Sequence, residues 1–282
     1  MLIVFRVGLL LIALYGYIAF LSMYKIKSEI AIGLTFSMIG SIVFLAGLIN
    51  AIAVFSWGLV FVGIFALIWC GIHKKLFVRS IWSVGFVLFL AGSIVLFFLM
   101  KDIRFTHYDD HNHWALVTKA LIKYDRFPTS SDWSSSFQSY PLGSASFIYF
   151  FSKICGITTE GFEAWVQAIL ILGMLISFFS FAKGIEDYVF AGIAIIILIC
   201  GNSWLWTLQV DTLMPAVAVA GYVLLRNREI DVNRKTYLCI PILIFLVSIK
   251  NSGLYFAAIL IVYAMIINKQ KRFSRFLFLS IP

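Results

Sequence analysis

From Ile30 to Ile72 the chain carries no charged side chain, and the stretch is too long for a single bilayer crossing. A transmembrane helix takes about 20 apolar residues. The run therefore reads as two spans joined by a tight turn near Asn50. Composition points the same way. The chain is 62% hydrophobic and 12% charged, with a mean hydropathy of +1.00, whereas soluble domains hold roughly 25% charged residues. Too little polar surface exists to cover a soluble core. The net charge of +9 does not indicate nucleic acid, because no basic helix or basic–aromatic cluster is present.

Other apolar runs extend the pattern. Leu2–Leu21 is long enough to span and lacks the small-residue cleavage site of a signal peptide. Further spans read at about 80–100, 162–182, 188–201, 212–225, 236–249 and 253–267. Leu142–Cys155 is apolar but short and holds Lys153, which suits a re-entrant or interfacial helix. Phe276–Pro282 reads as the start of another span, so the chain reads as ending inside an element. Cys70, Cys155, Cys200 and Cys239 lie in or beside apolar runs and read as free thiols.

Basic residues assign sides to this map. The loops at 24–29, 73–79, 183–187, 226–235 and 268–275 are rich in Lys and Arg, while the Asn50 turn and 202–211 carry none. Short cytoplasmic loops collect positive charge. That rule places the N-terminus, 101–161, 202–211 and the Lys250 turn outside, provided that 142–155 does not cross. The expected fold is an all-α polytopic membrane protein of about nine spans. Residues 1–100 hold N-terminal transmembrane helices and 101–161 form an external loop with juxtamembrane or re-entrant helices. Residues 162–282 hold further spans and a second external loop at 202–211.

The long polar segment 101–140 holds five of the 13 acids and three of the four histidines, which makes it the first place to look for chemistry. Asp109 and Asp110 sit just beyond a span, where ionisable groups are costly and usually functional. Asp211 is the one acid between Asp187 and Glu229, and Lys250 is a lone cation at a membrane-level turn. Two carboxylate sites and one cation suit phosphate chemistry. A carboxylate can act as a base or hold a divalent metal, and a lysine can pair with a lipid phosphate. Plainer readings stand beside these. Asp211 fits a helix N-cap, Lys250 could snorkel to headgroups, and Asp109–Asp110 could be a solvated turn. His107, His111 and His113 have spacing that invites zinc, but no fourth ligand is evident. His113–Tyr124 reads as an amphipathic helix lying on the membrane, and Ser130–Ser136 as a flexible loop.

The order of these features resembles the GT-C superfamily of polytopic glycosyltransferases, most of all the branch of protein mannosyltransferases and aminoarabinose transferases. The order runs from an acid pair with His-Trp, through a short amphipathic helix and Tyr140-Pro141-Leu142-Gly143, to a non-crossing helix. An acid then opens a later span, followed by an Ile-Lys-Asn-Ser-Gly turn. The resemblance covers roughly residues 80–265. It implies sugar transfer from a polyprenyl-phosphate donor to a glycan, lipid or protein acceptor at the outer face of the cytoplasmic membrane. Asp109 and Asp110 would be the base or metal ligands, with Asp211 as a further ligand to Mg or Mn. His113, Trp114, Tyr140, Asp211 and Lys250 would bind substrate. Departures are visible: Leu142 replaces the second proline of Tyr-Pro-Pro-Gly, and four spans precede the loop where the best-known members have one. Two rival functions remain: transport of lipid-linked saccharides, and a noncatalytic role in envelope assembly.

Overall fold

A computed structural model describes residues 1–73, 81–129, 132, 139–201 and 203–267. All regular structure among them is helical. The three N-terminal helices are α1 (Leu2–Met23), α2 (Ser28–Leu48) and α3 (Ile52–Ile72). The apolar run 30–72 breaks at Asn50, as its length requires. Asn50 takes a left-handed φ of 56°, which a short polar side chain tolerates. Small residues let α1 and α3 touch backbone to backbone: Gly16 faces the Gly63 carbonyl, and Gly63 faces Ala13. The Tyr17 hydroxyl donates to the Leu59 carbonyl at 2.7 Å and fixes their register.

The next elements are α4 (Val84–Met100), a π-turn (Asp110–Trp114) leading into α5 (Ala115–Tyr124), α6 (Gly143–Cys155) and α7 (Glu160–Leu175). A 3₁₀ stretch, Ile176–Phe181, prolongs α7. Then follow α8 (Ile185–Cys200), a 3₁₀ turn (Ser203–Trp206), α9 (Leu213–Arg226), α10 (Val232–Ile249) and α11 (Gly253–Ile267). Among the described residues, five helices are long and apolar enough to cross a membrane: α1, α2, α3, α7 with its 3₁₀ extension, and α10. This is a membrane-embedded helical protein. α4, α9 and α11 are apolar but shorter. α2 and α7 form the centre, with 78% and 83% of their apolar windows buried, while α1 and α3 lie at the edge with 33% and 28%.

Polar contacts collect at two opposite ends of the bundle. At one, Lys27 bonds the Ser180 carbonyl at 2.9 Å and pairs with Glu229 at 3.1 Å, Arg234 bonds the Tyr24 carbonyl, and Ser28 meets Ser83. This is the basic end. The other, the loop end, gathers residues 101–129, 139–142, 203–212 and 249–252. The helix α6 has both ends here: Gly143 abuts Ser248 at the end of α10, and Gly156 lies under Arg6 at the start of α1. Between them it dips into the core, where Phe147 and Phe151 ring Phe36 of α2 at 5.3 and 6.2 Å. Twelve of its 13 residues are buried, so this helix is packed inside protein.

α5 differs from expectation in its surroundings. Its apolar face (Ala115, Val117, Leu121) is buried against protein, chiefly α6, so it does not lie bare on lipid. The basic run at 74–79, most of Ser130–Ser136, and the stretches 268–275 and 276–282 lie outside the described residues.

Candidate functional site

The loop end is held together by one tight crossing of two loops. Asp110 opens the π-turn and is fully buried. Its Oδ1 accepts the Leu208 amide at 3.0 Å, and its Oδ2 has no hydrogen-bond partner among the described residues. Burial pushes its pKa up to about 6, against the lowering pull of the Leu208 amide and of His107 and His111. From the other side, Gln167 of α7 donates to the carbonyls of Thr207 at 3.2 Å and Gln209 at 2.9 Å. The segment 207–209 is thereby gripped between α7 and Asp110. Wide helical turns of the π type are frequent at functional sites, and here the turn points adjacent acids in different directions.

Asp109 is the acid that faces outward, with its side chain 40% exposed. Its Oδ2 accepts from Gln209 Nε2 at 3.2 Å. The same amide nitrogen lies 2.8 Å from His107 Nδ1. The Asp109 backbone N–H donates to that Nδ1 at 3.2 Å. Asp109, His107 and Gln209 thus form one hydrogen-bonded group at the surface.

An aromatic wall leads away from it. His113 is buried, edge-on to Trp114 at 4.5 Å and to Tyr140 at 5.4 Å, and Trp114 stacks on Tyr140 at 5.9 Å. Burial holds the His113 pKa down at about 4; Asp109 raises it and Lys250 lowers it, so charges on both sides reach this ring. Lys250 Nζ sits over the Tyr140 ring at 5.7 Å and pairs with Asp211 Oδ1 at 3.0 Å.

All seven residues singled out from the sequence therefore fall in one cluster, but in unequal positions. Asp109, Asp211, Tyr140 and Lys250 reach accessible surface, whereas Asp110, His113 and Trp114 are buried and shape the wall behind them. Asp211 does not cap α9: Thr212 takes the N-cap place, with no side-chain capping bond, and the Asp211 carboxylate turns to Lys250. The ammonium of Lys250 is correspondingly drawn into a pair.

A metal held jointly by Asp109, Asp110 and Asp211 fits poorly, because no three His, Cys, Asp or Glu side chains converge among the described residues. The three histidines diverge as well: His111 is exposed while His113 is walled in by rings. Gln209, Gln167 and His107 were not foreseen as a functional group. Gln167 had a signal, being a lone amide in an apolar helix, where polar groups are costly and usually have a task.

Beside the Lys250–Asp211 pair opens an apolar groove of about 450 Å³. It runs between α7, α8 and α9 and is lined by Leu175, Phe178, Leu198, Pro215, Ala216 and Val219, with Asp211 and Thr212 at its polar margin. α8 leaves such space because only Ile195 of its 16 residues is buried. Comparison with known proteins finds no matching family model, no matching curated protein and no matching solved structure.

Proposed function

We propose that this chain is a membrane glycosyltransferase of the GT-C type, drawing a sugar from a polyprenyl-phosphate donor and working on the external face of the cytoplasmic membrane. Its loop end is the external face, and α4, α8, α9 and α11 complete nine crossings. The observation that carries this reading is the placing of an accessible carboxylate, Asp109, and a lysine at the margin of an apolar groove in one cluster, with an aromatic wall between them.

In this reading the isoprenoid chain lies in the groove of α7, α8 and α9, and its phosphate exchanges with Asp211 for the Lys250 ammonium. Asp109 takes the proton of the acceptor hydroxyl. The acceptor oxygen then forms its bond to the anomeric carbon as the bond to phosphate oxygen breaks, and polyprenyl phosphate leaves with its charge stabilised by Lys250. A single displacement inverts the anomeric centre. Gln209 and His107 hold Asp109 for this task. No step is assigned to Mg or Mn, given the poor convergence of the acids.

The test is release of sugar from a radiolabelled polyprenyl-phosphate donor in membranes containing the chain. Lys250→Ala should raise the KM for donor by about tenfold or more, the scale of one lost charge-assisted contact, and Asp109→Asn should stop turnover. Donor that crosses vesicle bilayers intact, with none broken down, would instead establish the transport reading. That reading draws its support from Glu163 and Gln167, polar groups buried within α7.

A further inference from the structure

A second cavity adjoins the site at His107. It holds about 440 Å³ and is lined by Ile103, Arg104, Thr106, His107, Trp206 and Thr207. That volume lies within the roughly 300–1,000 Å³ range of small-molecule sites. Its chemistry differs from that of the grooves flanking α8, which are lined almost wholly by apolar side chains.

We infer that this cavity binds a saccharide carrying an anionic group, phosphate or carboxylate, and that it is the acceptor subsite; the second half of that statement rests on the transferase reading. Three observations lead there. Arg104 is exposed and has no hydrogen-bond or ion-pair partner among the described residues. The acid it acts on electrostatically, Glu160, is already engaged: one oxygen takes Lys119 at 2.7 Å and the other takes the Phe105 amide at 2.8 Å. A guanidinium left open in a concave site is a fork for an oxyanion. Trp206, exposed in the 3₁₀ turn, lines the cavity together with Thr106 and Thr207, an aromatic and two hydroxyl side chains of the kind that a sugar ring with one apolar face requires. Finally, His107 lines the cavity while its Nδ1 lies 4.0 Å from Asp109 Oδ2, so the cavity and the proposed base share one side chain. Neither Lys250 nor Tyr140 lines this cavity, which leaves it to the incoming hydroxyl rather than to the phosphate of the lipid.

The experiment is saturation-transfer difference NMR on the purified full chain in detergent, with glucose 6-phosphate, glucuronic acid and methyl glucoside as separate probes. Saturable binding is expected for at least one of the two anionic sugars, and which of them binds identifies the anion. Arg104→Gln should weaken it by about tenfold, the scale of one charge-assisted hydrogen bond. Trp206→Leu should remove it. Absence of saturable binding, or anionic-sugar binding that Arg104→Gln leaves intact, overturns the inference. Running donor breakdown on the same preparation separates the two claims. Breakdown without anionic-sugar binding removes the subsite alone. Binding without breakdown keeps the cavity as an anionic-saccharide site and removes the transferase reading.

Discussion

At the basic end, the buried and half-buried charged and amide side chains among the described residues find partners. Lys27 has both a carbonyl and Glu229, Lys235 bonds the Asn227 carbonyl at 3.1 Å, and Asn227 Oδ1 accepts two backbone amides. Asp231 caps α10 by accepting the amides of Asn233 and Arg234. At the loop end the polar groups are more deeply buried and less well satisfied. Asp110 Oδ2, both oxygens of Glu163 and Gln167 Oε1 are enclosed without a hydrogen-bond partner among the described residues. Each such orphan costs about 1–3 kcal/mol, more if charged. One end uses polarity to fasten helices together. The other keeps polarity at a cost in stability, which is where strain and unmet hydrogen bonds usually mark function.

The sharpest way to break this contrast is to remove one group from each end. Asp109→Asn should lower donor turnover by about 10²–10⁴-fold, the usual contribution of a general base, while expression and melting stay near wild type. Lys27→Ala should leave turnover unaffected. Equal effects on turnover would erase the distinction between the ends.

A pH series sharpens it next. The Asp110 pKa is raised to about 6, so its contribution to stability is present at low pH and is lost as pH rises through 6. The His113 pKa is depressed to about 4, so its contribution is present above the ordinary histidine range and is lost as pH falls through 4. Each shift of about 2 units corresponds to about 3 kcal/mol, and between pH 4 and 6 the two oppose each other. Relative to wild type, Asp110→Asn should lose melting temperature as pH drops from 6.5 to 4, and His113→Asn should gain it. Parallel curves for all three proteins would contradict the burial of these groups.

Packing offers a smaller effect of the same kind. A methyl at Gly143 would run into Ser248, so Gly143→Ala should destabilise by about 1–3 kcal/mol. At Gly184, near the basic end, nothing lies within 4 Å of the added carbon, and Gly184→Ala should stay within about 0.5 kcal/mol. Chemical denaturation in detergent compares the pair. The stability change for Lys27→Ala should also be small. Its pair with Glu229 is largely solvated, with side chains 37% and 59% exposed. The loss should be under about 1 kcal/mol, read by the same denaturation curves.

Much of the helical frame was legible because apolar run length and charge breaks set it. The Asn50 turn, the short α6 and the boundaries near 100, 200 and 250 all follow from where spans must stop. Sequence order also brought Asp109, Tyr140, Asp211 and Lys250 to one end. What it did not reveal was orientation within the cluster. Asp109 and Asp110 are adjacent and chemically alike, and only the π-turn and the Leu208 amide decide that one faces outward and the other is enclosed. Gln209 and Gln167 act through backbone carbonyls and a neighbouring side chain, contacts that leave no spacing pattern in a single chain. Span number was the least legible feature, since α4, α8, α9 and α11 fall below the usual length and depend on their neighbours for placement.

The proposed transferase requires the two ends to occupy opposite faces of the membrane, with the loop end outside. Tyr108 is exposed at the loop end, and Arg228 is exposed at the basic end. Tyr108→Cys and Arg228→Cys, each made with Cys200→Ser because Cys200 is the exposed native thiol, can be probed with a membrane-impermeant maleimide on intact cells. The expected result is labelling of Cys at 108 without permeabilisation, and of Cys at 228 only after it. Labelling of both from outside, or of 228 alone, would contradict it.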